Sequence, residues 1–168
     1  MQKYLYGVAR PNPSAGGGGT SVVFARPSWQ NSVAEIVGDH RGVPDISMNG
    51  AWASAVDMYH SFAGQPAAWY LICGTGEPVP LFAGIVSLAG QVAGHPLGVI
   101  NPAICRLASE HAPGIVDVTR GNNTVSFVQN GTEHTVRGWA AVRGYDLASG
   151  MGTICAPDFV PELAKLAG

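Results

Sequence analysis

Residues 69–94 constrain the fold of this chain more than any other stretch. They begin as an apolar strand, turn through glycines at 74 and 76, and continue as a long apolar segment. Pro78 and Pro80 fit only the first turn of a helix, where a missing N–H loses no partner. We therefore predict a strand, a tight turn and a central helix that is apolar on nearly all sides and consequently buried.

The turn into this helix is where an α/β enzyme would hold a nucleophile, because backbone N–H groups at a helix N-terminus stabilise an oxyanion. Gly76 occupies that position and has no side chain. Thr75 and Cys73 lie beside it, but a nucleophile needs a base at a fixed, short distance. Glu77 is explained more simply as a carboxylate near the positive end of the helix dipole. The residues alone therefore predict no active nucleophile.

Composition excludes several classes of function. The chain has 168 residues, 46% of them hydrophobic, which suits one globular unit with a real core. Its net charge of −2, with 12% charged residues, lacks the clustered Lys and Arg of nucleic-acid or anionic-membrane binders. No apolar run is long enough to span a membrane, and the first residues do not resemble a secretory signal. We expect a cytoplasmic chain if it is expressed alone, with no nucleic-acid or membrane partner.

Local patterns predict the other elements. Residues 1–15 read as a flexible N-terminal segment that is too poor in apolar residues to order alone. Helices are predicted at 28–38, with Ser28 as N-cap, and at 103–110, and strands at 55–60 and 68–73. A hairpin is predicted at 125–136, with its bend at Asn130 and Gly131. The last helix would have Asp158 as its cap and a buried stripe of Val160, Leu163 and Leu166.

Glycines, cysteines and histidines give weak functional signals. The run at 16–19 is followed by no phosphate-loop lysine, so Gly17, Gly18 and Gly19 are interpreted as a flexible loop that faces a substrate. Three widely spaced cysteines match neither a disulfide framework nor a metal pair, and we expect them to be free thiols in the core. The five histidines show no metal-binding spacing.

Two acidic residues flank the hairpin segment, Asp117 and Asp146. Carboxylates in a glycine-rich loop suit a hard cation such as Ca²⁺, which takes side-chain and backbone oxygens together. Spacing alone leaves a second interpretation open, in which these are two solvated loop aspartates.

Several motifs in fixed order resemble the C-terminal half of the catalytic domain of the sedolisins, the serine-carboxyl peptidases of subtilisin-like fold. The resemblance runs from about residue 15 to the C-terminus and is carried by residues 17–30, 41–47, 74–85, 97–102, 117–122 and 144–152. It implies an α/β chain that forms part of a three-layer subtilisin-like fold. The expected parts are a parallel sheet, a central buried helix and a C-terminal calcium-binding hairpin lobe. Residues 16–168 would be the C-terminal portion of a peptidase domain, and the family is typically secreted.

The same resemblance implies that catalysis is lost. The family uses Ser in a Gly-Thr-Ser-x-x-x-Pro motif, and here Gly76 stands at the Ser position while Pro80 keeps the Pro. The family's Glu, the Asp that holds it and the oxyanion Asp belong to segments before the start of this chain. All four catalytic groups are therefore expected to be missing.

The family's calcium site is retained in this comparison. Its two Asp side chains match Asp117 and Asp146, and its carbonyl ligands match Val118, Val142 and Gly144. Val142 replaces a usual Gly, which affects backbone geometry rather than ligand chemistry.

Three functions follow as hypotheses. The first is an inactive, calcium-binding sedolisin homologue. The second is half of a split serine endopeptidase that acts with an N-terminal partner chain, and the third is a module that binds peptides without cutting them. An exposed sheet edge and uncovered apolar surface also predict self-association or a partner half-domain.

Overall fold

The computed structural model of the protein describes residues 14–62, 64 and 66–166. These residues divide into two compact units, one made of residues 48–84 and the other of residues 14–47 and 85–166. Of the predicted flexible segment 1–15, residues 1–13 lie outside the described residues, and residues 14 and 15 have no regular secondary structure.

Short strands and helices are distributed along the described part of the chain. The elements are β1 Gly19–Ala25, α1 Ala34–Val37, β2 His40–Val43, β3 Val56–His60, β4 Ala68–Ile72, α2 Pro78–Ala93, α3 Asn101–Ser109, β5 Ile115–Val116, β6 Val125–Gln129, β7 Thr132–Val136, β8 Thr153–Ile154 and α4 Ala156–Leu166. Short 3₁₀ turns cover Ser28–Val33, Trp52–Ser54 and Gly74–Gly76.

The sheets differ from the prediction. Within the described ranges, the strands pair as β1–β2, β3–β4, β5–β8 and β6–β7, and each pair is antiparallel. The predicted parallel sheet is therefore not formed by these residues. For β3–β4 and β6–β7 the physical reason is that the two strands are joined by a short connection, whereas parallel neighbours need a long crossover.

The hairpin prediction agrees with the structure. β6 and β7 pair in regular register from Val125 opposite Val136 to Gln129 opposite Thr132. Asn130 and Gly131 form the bend with φ angles of 52° and 78°. Positive φ at both central residues is the requirement of a tight type I′ turn, which Asn-Gly meets at low cost.

Helices α3 and α4 supply much of the core of the larger unit. Ile104 and Leu107 of α3 are almost fully buried, as are Phe159 and Leu163 of α4. Of the predicted stripe of α4, Leu163 is buried as expected, whereas Val160 and Leu166 are only partly buried. Phe159, four residues before Leu163, is the fully buried residue that the prediction missed. Asp158 is not a cap but lies in the first turn.

A glycine and a glutamine make close backbone packing possible. A Cβ on Gly114, which has φ +100°, would lie 2.4 Å from the backbone of Phe159, so only glycine fits there. Gln30 is fully buried, and its amide donates to the Gly42 carbonyl at 2.8 Å and accepts from the Gly42 N–H at 2.9 Å. The side chain thereby bonds β2 as a neighbouring strand would.

The predicted helix at 28–38 begins as a 3₁₀ turn and becomes α-helical only from Ala34. Pro27, not Ser28, is the N-cap, and it makes no side-chain capping bond. The predicted stop at Gly38 is correct, with φ +64°.

The central helix has the predicted position but not the predicted burial. α2 begins at Pro78, and only Ala89 is buried among its residues. Leu81, Leu88 and Val92 are 46%, 52% and 63% exposed. The prediction assumed that an all-round apolar helix is covered on every side, and the described elements of this chain do not supply that cover.

Candidate functional site

The strand-turn-helix junction of the smaller unit positions Gly76. Strand β4 leads into the 3₁₀ turn Gly74–Gly76, and α2 starts two residues later. Gly74 has φ +71° and donates its N–H to the Gly50 carbonyl at 2.8 Å. The Glu77 N–H donates to the Gly74 carbonyl at 3.1 Å, which closes the turn. The turn is therefore a defined structure and not a loose loop.

Gly76 leaves open space at the entrance of the helix. No heavy atom lies within 4 Å of the position that a Cβ would occupy there. A serine side chain would therefore fit without moving a neighbour. In the present chain no hydroxyl or thiol occupies that position.

Glu77 has a role that its helix position did not reveal. Its side chain is 3% exposed, and Oε1 accepts a hydrogen bond from Asn49 Nδ2 at 3.2 Å. Asn49 also donates to the Ser54 carbonyl at 2.9 Å and accepts from Ser54 Oγ at 2.6 Å. Oε2 is buried with no hydrogen-bond partner among the described residues. The carboxylate thus fastens residues 49–54 to the start of α2.

The loop at 142–149 brings the two predicted calcium aspartates together. Asp146 is 4% exposed. Its carboxylate accepts hydrogen bonds from three backbone N–H groups and one hydroxyl, namely Val142 at 2.9 Å, Ala148 at 2.9 Å, Ser149 at 2.7 Å and Ser149 Oγ at 3.0 Å. Asp117 is exposed, and its Oδ2 accepts from the Gly144 N–H at 2.8 Å. Both carboxylates therefore bind the same five-residue segment.

The backbone carbonyls of the predicted ligand set lie in loops. Among the described residues, no backbone N–H of a turn or loop donates to the carbonyls of Val118, Val142 or Gly144. Gly144 has φ +81°, a conformation open to glycine. No cluster of three or more His, Cys, Asp or Glu side chains occurs among the described residues. Two carboxylates plus carbonyl oxygens are a donor set that Ca²⁺ accepts.

The glycine run is packed more tightly than a free loop. A Cβ on Gly18 would lie 1.6 Å from the Leu147 carbonyl oxygen. The Gly18 carbonyl accepts a hydrogen bond from Trp139 Nε1 at 3.2 Å, and Gly19 begins β1 opposite Val43. Gly17 is exposed, with nothing within 4 Å of its Cβ position. Gly18 and Gly19 are thus held against neighbouring backbone, whereas Gly17 faces outward.

A partly buried polar cluster escaped the sequence analysis. Arg41 forms an ion pair with Asp45, which also accepts from Asn101 Nδ2 at 2.8 Å. Burial first, and the Asp45 charge second, raise the pKa of the Cys105 thiol to about 11 and that of Tyr145 to about 12. Both groups are therefore neutral near pH 7, which excludes Cys105 as a thiolate nucleophile. Arg41 and Asp45 are four residues apart, but no spacing pattern in the sequence joins them to Asn101, Cys105 or Tyr145.

Comparison with known proteins identifies the family. Kumamolisin of Bacillus sp. (strain MN-32) is 32% identical over 149 residues, which cover 85% of this chain and 24% of that protein. Tripeptidyl-peptidase 1 of Homo sapiens is 33% identical over 162 residues, with 89% and 27% covered. The structure of Pseudomonas sedolisin, a serine-carboxyl proteinase, matches with a TM-score of 0.67 and 27% identity. The matched part of this chain belongs to the sedolisin family.

The sedolisin match has defined limits. It covers 89% of this chain and 35% of the Pseudomonas sedolisin chain, and the chain spans about a quarter of the length of the curated relatives that it matches. No family model matches the sequence. In the described ranges, no helix is long and apolar enough to cross a membrane.

All three cysteines are free thiols. Cys105 is buried as predicted, whereas Cys73 and Cys155 are only partly buried.

Proposed function

We propose that this chain is a sedolisin homologue that does not cleave peptides and that binds Ca²⁺ in its C-terminal lobe. The observation that carries the proposal is Gly76, which leaves open space where the family motif has a serine nucleophile. Loss of the nucleophile from a peptidase site removes nearly all of its rate enhancement.

No neighbouring group replaces the nucleophile. Glu77 is the nearest carboxylate in the sequence, but it is buried and engaged with Asn49. Thr75 is exposed, and in the described residues its hydroxyl makes no hydrogen bond to a base. Activation of a hydroxyl requires such a base within hydrogen-bond reach.

The calcium part of the proposal rests on the 142–146 loop. Asp117 and Asp146 would supply carboxylate oxygens, and Val118, Val142 and Gly144 would supply carbonyl oxygens. Calcium would neutralise two carboxylates and tie the loop to the end of β5. The hydrogen bonds from Gly144 to Asp117 and from Val142 to Asp146 support this, because they hold both carboxylates at one loop.

The calcium experiment is thermal unfolding followed by near-UV circular dichroism, with calcium and with a chelator. A ligand selective for the native state raises the melting temperature by mass action. We expect this increase for the unmodified chain and its loss in Asp117→Asn, whose exposed side chain makes few other contacts. Equal melting temperatures with calcium and chelator would refute the calcium site.

The peptidase experiment uses Gly76→Ser. We expect unchanged folding, because the space is open, and no peptide hydrolysis by either the unmodified chain or the variant. Hydrolysis by the unmodified chain, alone or with the remaining part of a sedolisin domain added, would overturn the proposal. Absence of hydrolysis by Gly76→Ser even with that part added would rule out the split-endopeptidase alternative.

Peptide binding without cleavage is the second candidate. It is favoured by the exposed turn at Gly74–Gly76, whose open space would admit a peptide backbone. In the larger unit, a separate candidate peptide contact among the predicted loop residues Gly17, Gly18 and Gly19 is Gly17, the outward-facing one of the three. A peptide titration followed by calorimetry tests this, with Gly17→Ala as the variant. We also propose that the chain associates with a partner half-domain or with a second copy of itself.

A further inference from the structure

The sequence contains two Asn-Gly pairs, Asn49–Gly50 and Asn130–Gly131. The side-chain amide of an asparagine can be attacked by the backbone nitrogen of the next residue, and glycine in that place has no Cβ to obstruct the approach. The attack joins that nitrogen to the asparagine Cγ, which closes a succinimide ring and releases ammonia. Both pairs carry the groups that this chemistry needs, so their surroundings decide which of them reacts.

Asn49 is held by hydrogen bonds at both ends of its side-chain amide. Its Nδ2 donates to the Ser54 carbonyl at 2.9 Å and to Glu77 Oε1 at 3.2 Å. Its Oδ1 accepts from Ser54 Oγ at 2.6 Å and from the Ala51 N–H at 3.3 Å. Rotation of the Asn49 amide towards the Gly50 nitrogen would therefore break several hydrogen bonds at once.

Asn130 has no such restraint. It lies at the bend of the β6–β7 hairpin with φ 52°, and its side chain makes no hydrogen bond to another described residue. Gly131 follows with φ 78°, and in the described ranges its N–H donates to no turn or loop carbonyl. Both Asn130 and Asn49 are exposed, so exposure does not distinguish the two pairs. The difference between them is the hydrogen bonding of the side chain.

The hairpin that carries Asn130 can open at little cost. Among the described strands, β6 and β7 pair only with each other, and all five residues of β7 are exposed. An isolated two-stranded hairpin is marginally stable in water. Local opening lets Asn130 leave its left-handed conformation and turn its amide towards the Gly131 nitrogen.

We propose that Asn130 is a site of spontaneous deamidation and that Asn49 is protected in the folded chain. The Gly131 nitrogen loses its proton and bonds to Asn130 Cγ, and the side-chain nitrogen leaves as ammonia. Water then opens the succinimide at either carbonyl, which gives aspartate or isoaspartate at residue 130. Each product carries a carboxylate in place of a neutral amide. This inference goes beyond the proposed function and involves neither catalysis nor calcium.

The two products differ in their effect on the hairpin. Aspartate tolerates a positive φ as asparagine does, so it keeps the bend. Isoaspartate routes the main chain through the side-chain carboxyl group and lengthens it by one carbon, which a two-residue bend does not accommodate. We expect the isoaspartate form to lose the pairing of Gln129 with Thr132 and to show faster amide hydrogen exchange over residues 125–136.

The test is incubation of the folded full chain in warm, mildly alkaline buffer, followed by proteolysis and mass spectrometry of the peptides that contain residues 49 and 130. Each hydrogen bond that must open lowers the reactive population roughly fivefold, so residue 130 should deamidate at least about tenfold faster than residue 49. In denaturing urea these hydrogen bonds are absent, and the two rates should converge. No deamidation at residue 130, or a rate at residue 49 that equals it in the folded chain, would overturn the proposal.

Two variants test the restraint itself. Ser54→Ala removes the hydroxyl that donates to Asn49, and it should speed deamidation at residue 49 by roughly fivefold without changing the rate at residue 130. The matched control, Ser109→Ala, removes another exposed hydroxyl, which bonds the Arg106 carbonyl, and it should change neither rate. If Ser54→Ala stayed folded by circular dichroism and residue 49 reacted as slowly as before, protection by the side-chain hydrogen bonds would be refuted.

Discussion

The carboxylate of Asp146 is expected to stabilise the C-terminal lobe even without calcium. Hydrogen bonds to a charged group contribute on the order of 1.5–3 kcal/mol each, and a buried donor left without a partner costs about 1–3 kcal/mol. Asp146→Ala would strip three backbone donors, of which Ser149 is buried, Ala148 half-buried and Val142 exposed. Water can replace the lost carboxylate only at the exposed Val142 N–H, so we expect the free energy of unfolding to fall by about 3 kcal/mol.

The assay is urea unfolding followed by circular dichroism, with a chelator present throughout. Asp146→Asn keeps one acceptor oxygen for the Ala148 and Ser149 donors, and it should cost about half as much. Asp117→Asn is the control, because Asp117 is exposed and accepts a single bond; we expect a change within about 0.5 kcal/mol. If Asp117→Asn destabilised the chain as much as Asp146→Ala, the reasoning from burial would be wrong.

Three other predictions can be checked by the same unfolding assay. Phe159→Ala empties a fully buried position and should cost about 3–5 kcal/mol; a loss below 1 kcal/mol would contradict the packing. Gly18→Ala should cost about 2 kcal/mol or more because its Cβ meets the Leu147 carbonyl, whereas Gly17→Ala should be nearly neutral. Stability should fall as pH rises from about 9 towards 11, because the unfolded chain releases the Cys105 proton first; Cys105→Ala should make that fall less steep.

Two local backbone signals predicted local structure correctly, whereas the helix caps predicted at Ser28 and Asp158 were wrong. The prolines at 78 and 80 correctly indicated the start of α2, and Asn130-Gly131 correctly indicated the hairpin bend. Both signals act through the backbone of the residue that carries them, so no distant partner is needed. The family resemblance was also readable from motifs spread along the chain and is confirmed by the relatives.

Features that depend on distant partners were not predicted. The burial of α2 and the pairing of the strands depend on which elements cover which, and periodicity does not contain that information. Gln30 and Glu77 have polar side chains that sequence patterns place at the surface, yet each is buried by a partner far along the chain. The hydrogen bonds of Asp146, by contrast, go to residues at most four positions away. An Asp in a loop commonly accepts from the backbone N–H two or three residues later, and that rule is the sequence signal that would have found them.

The amide of Gln30 has a consequence for redesign of this chain. A redesign procedure that rewards apolar side chains at every buried position would choose Leu or Met at residue 30, because the site is completely enclosed. That choice would leave the donor and the acceptor of Gly42 without partners in an interior that admits no replacement. Sequence optimisation at residue 30 must therefore count backbone N–H and C=O groups left without hydrogen bonds as well as the volume of the side chain.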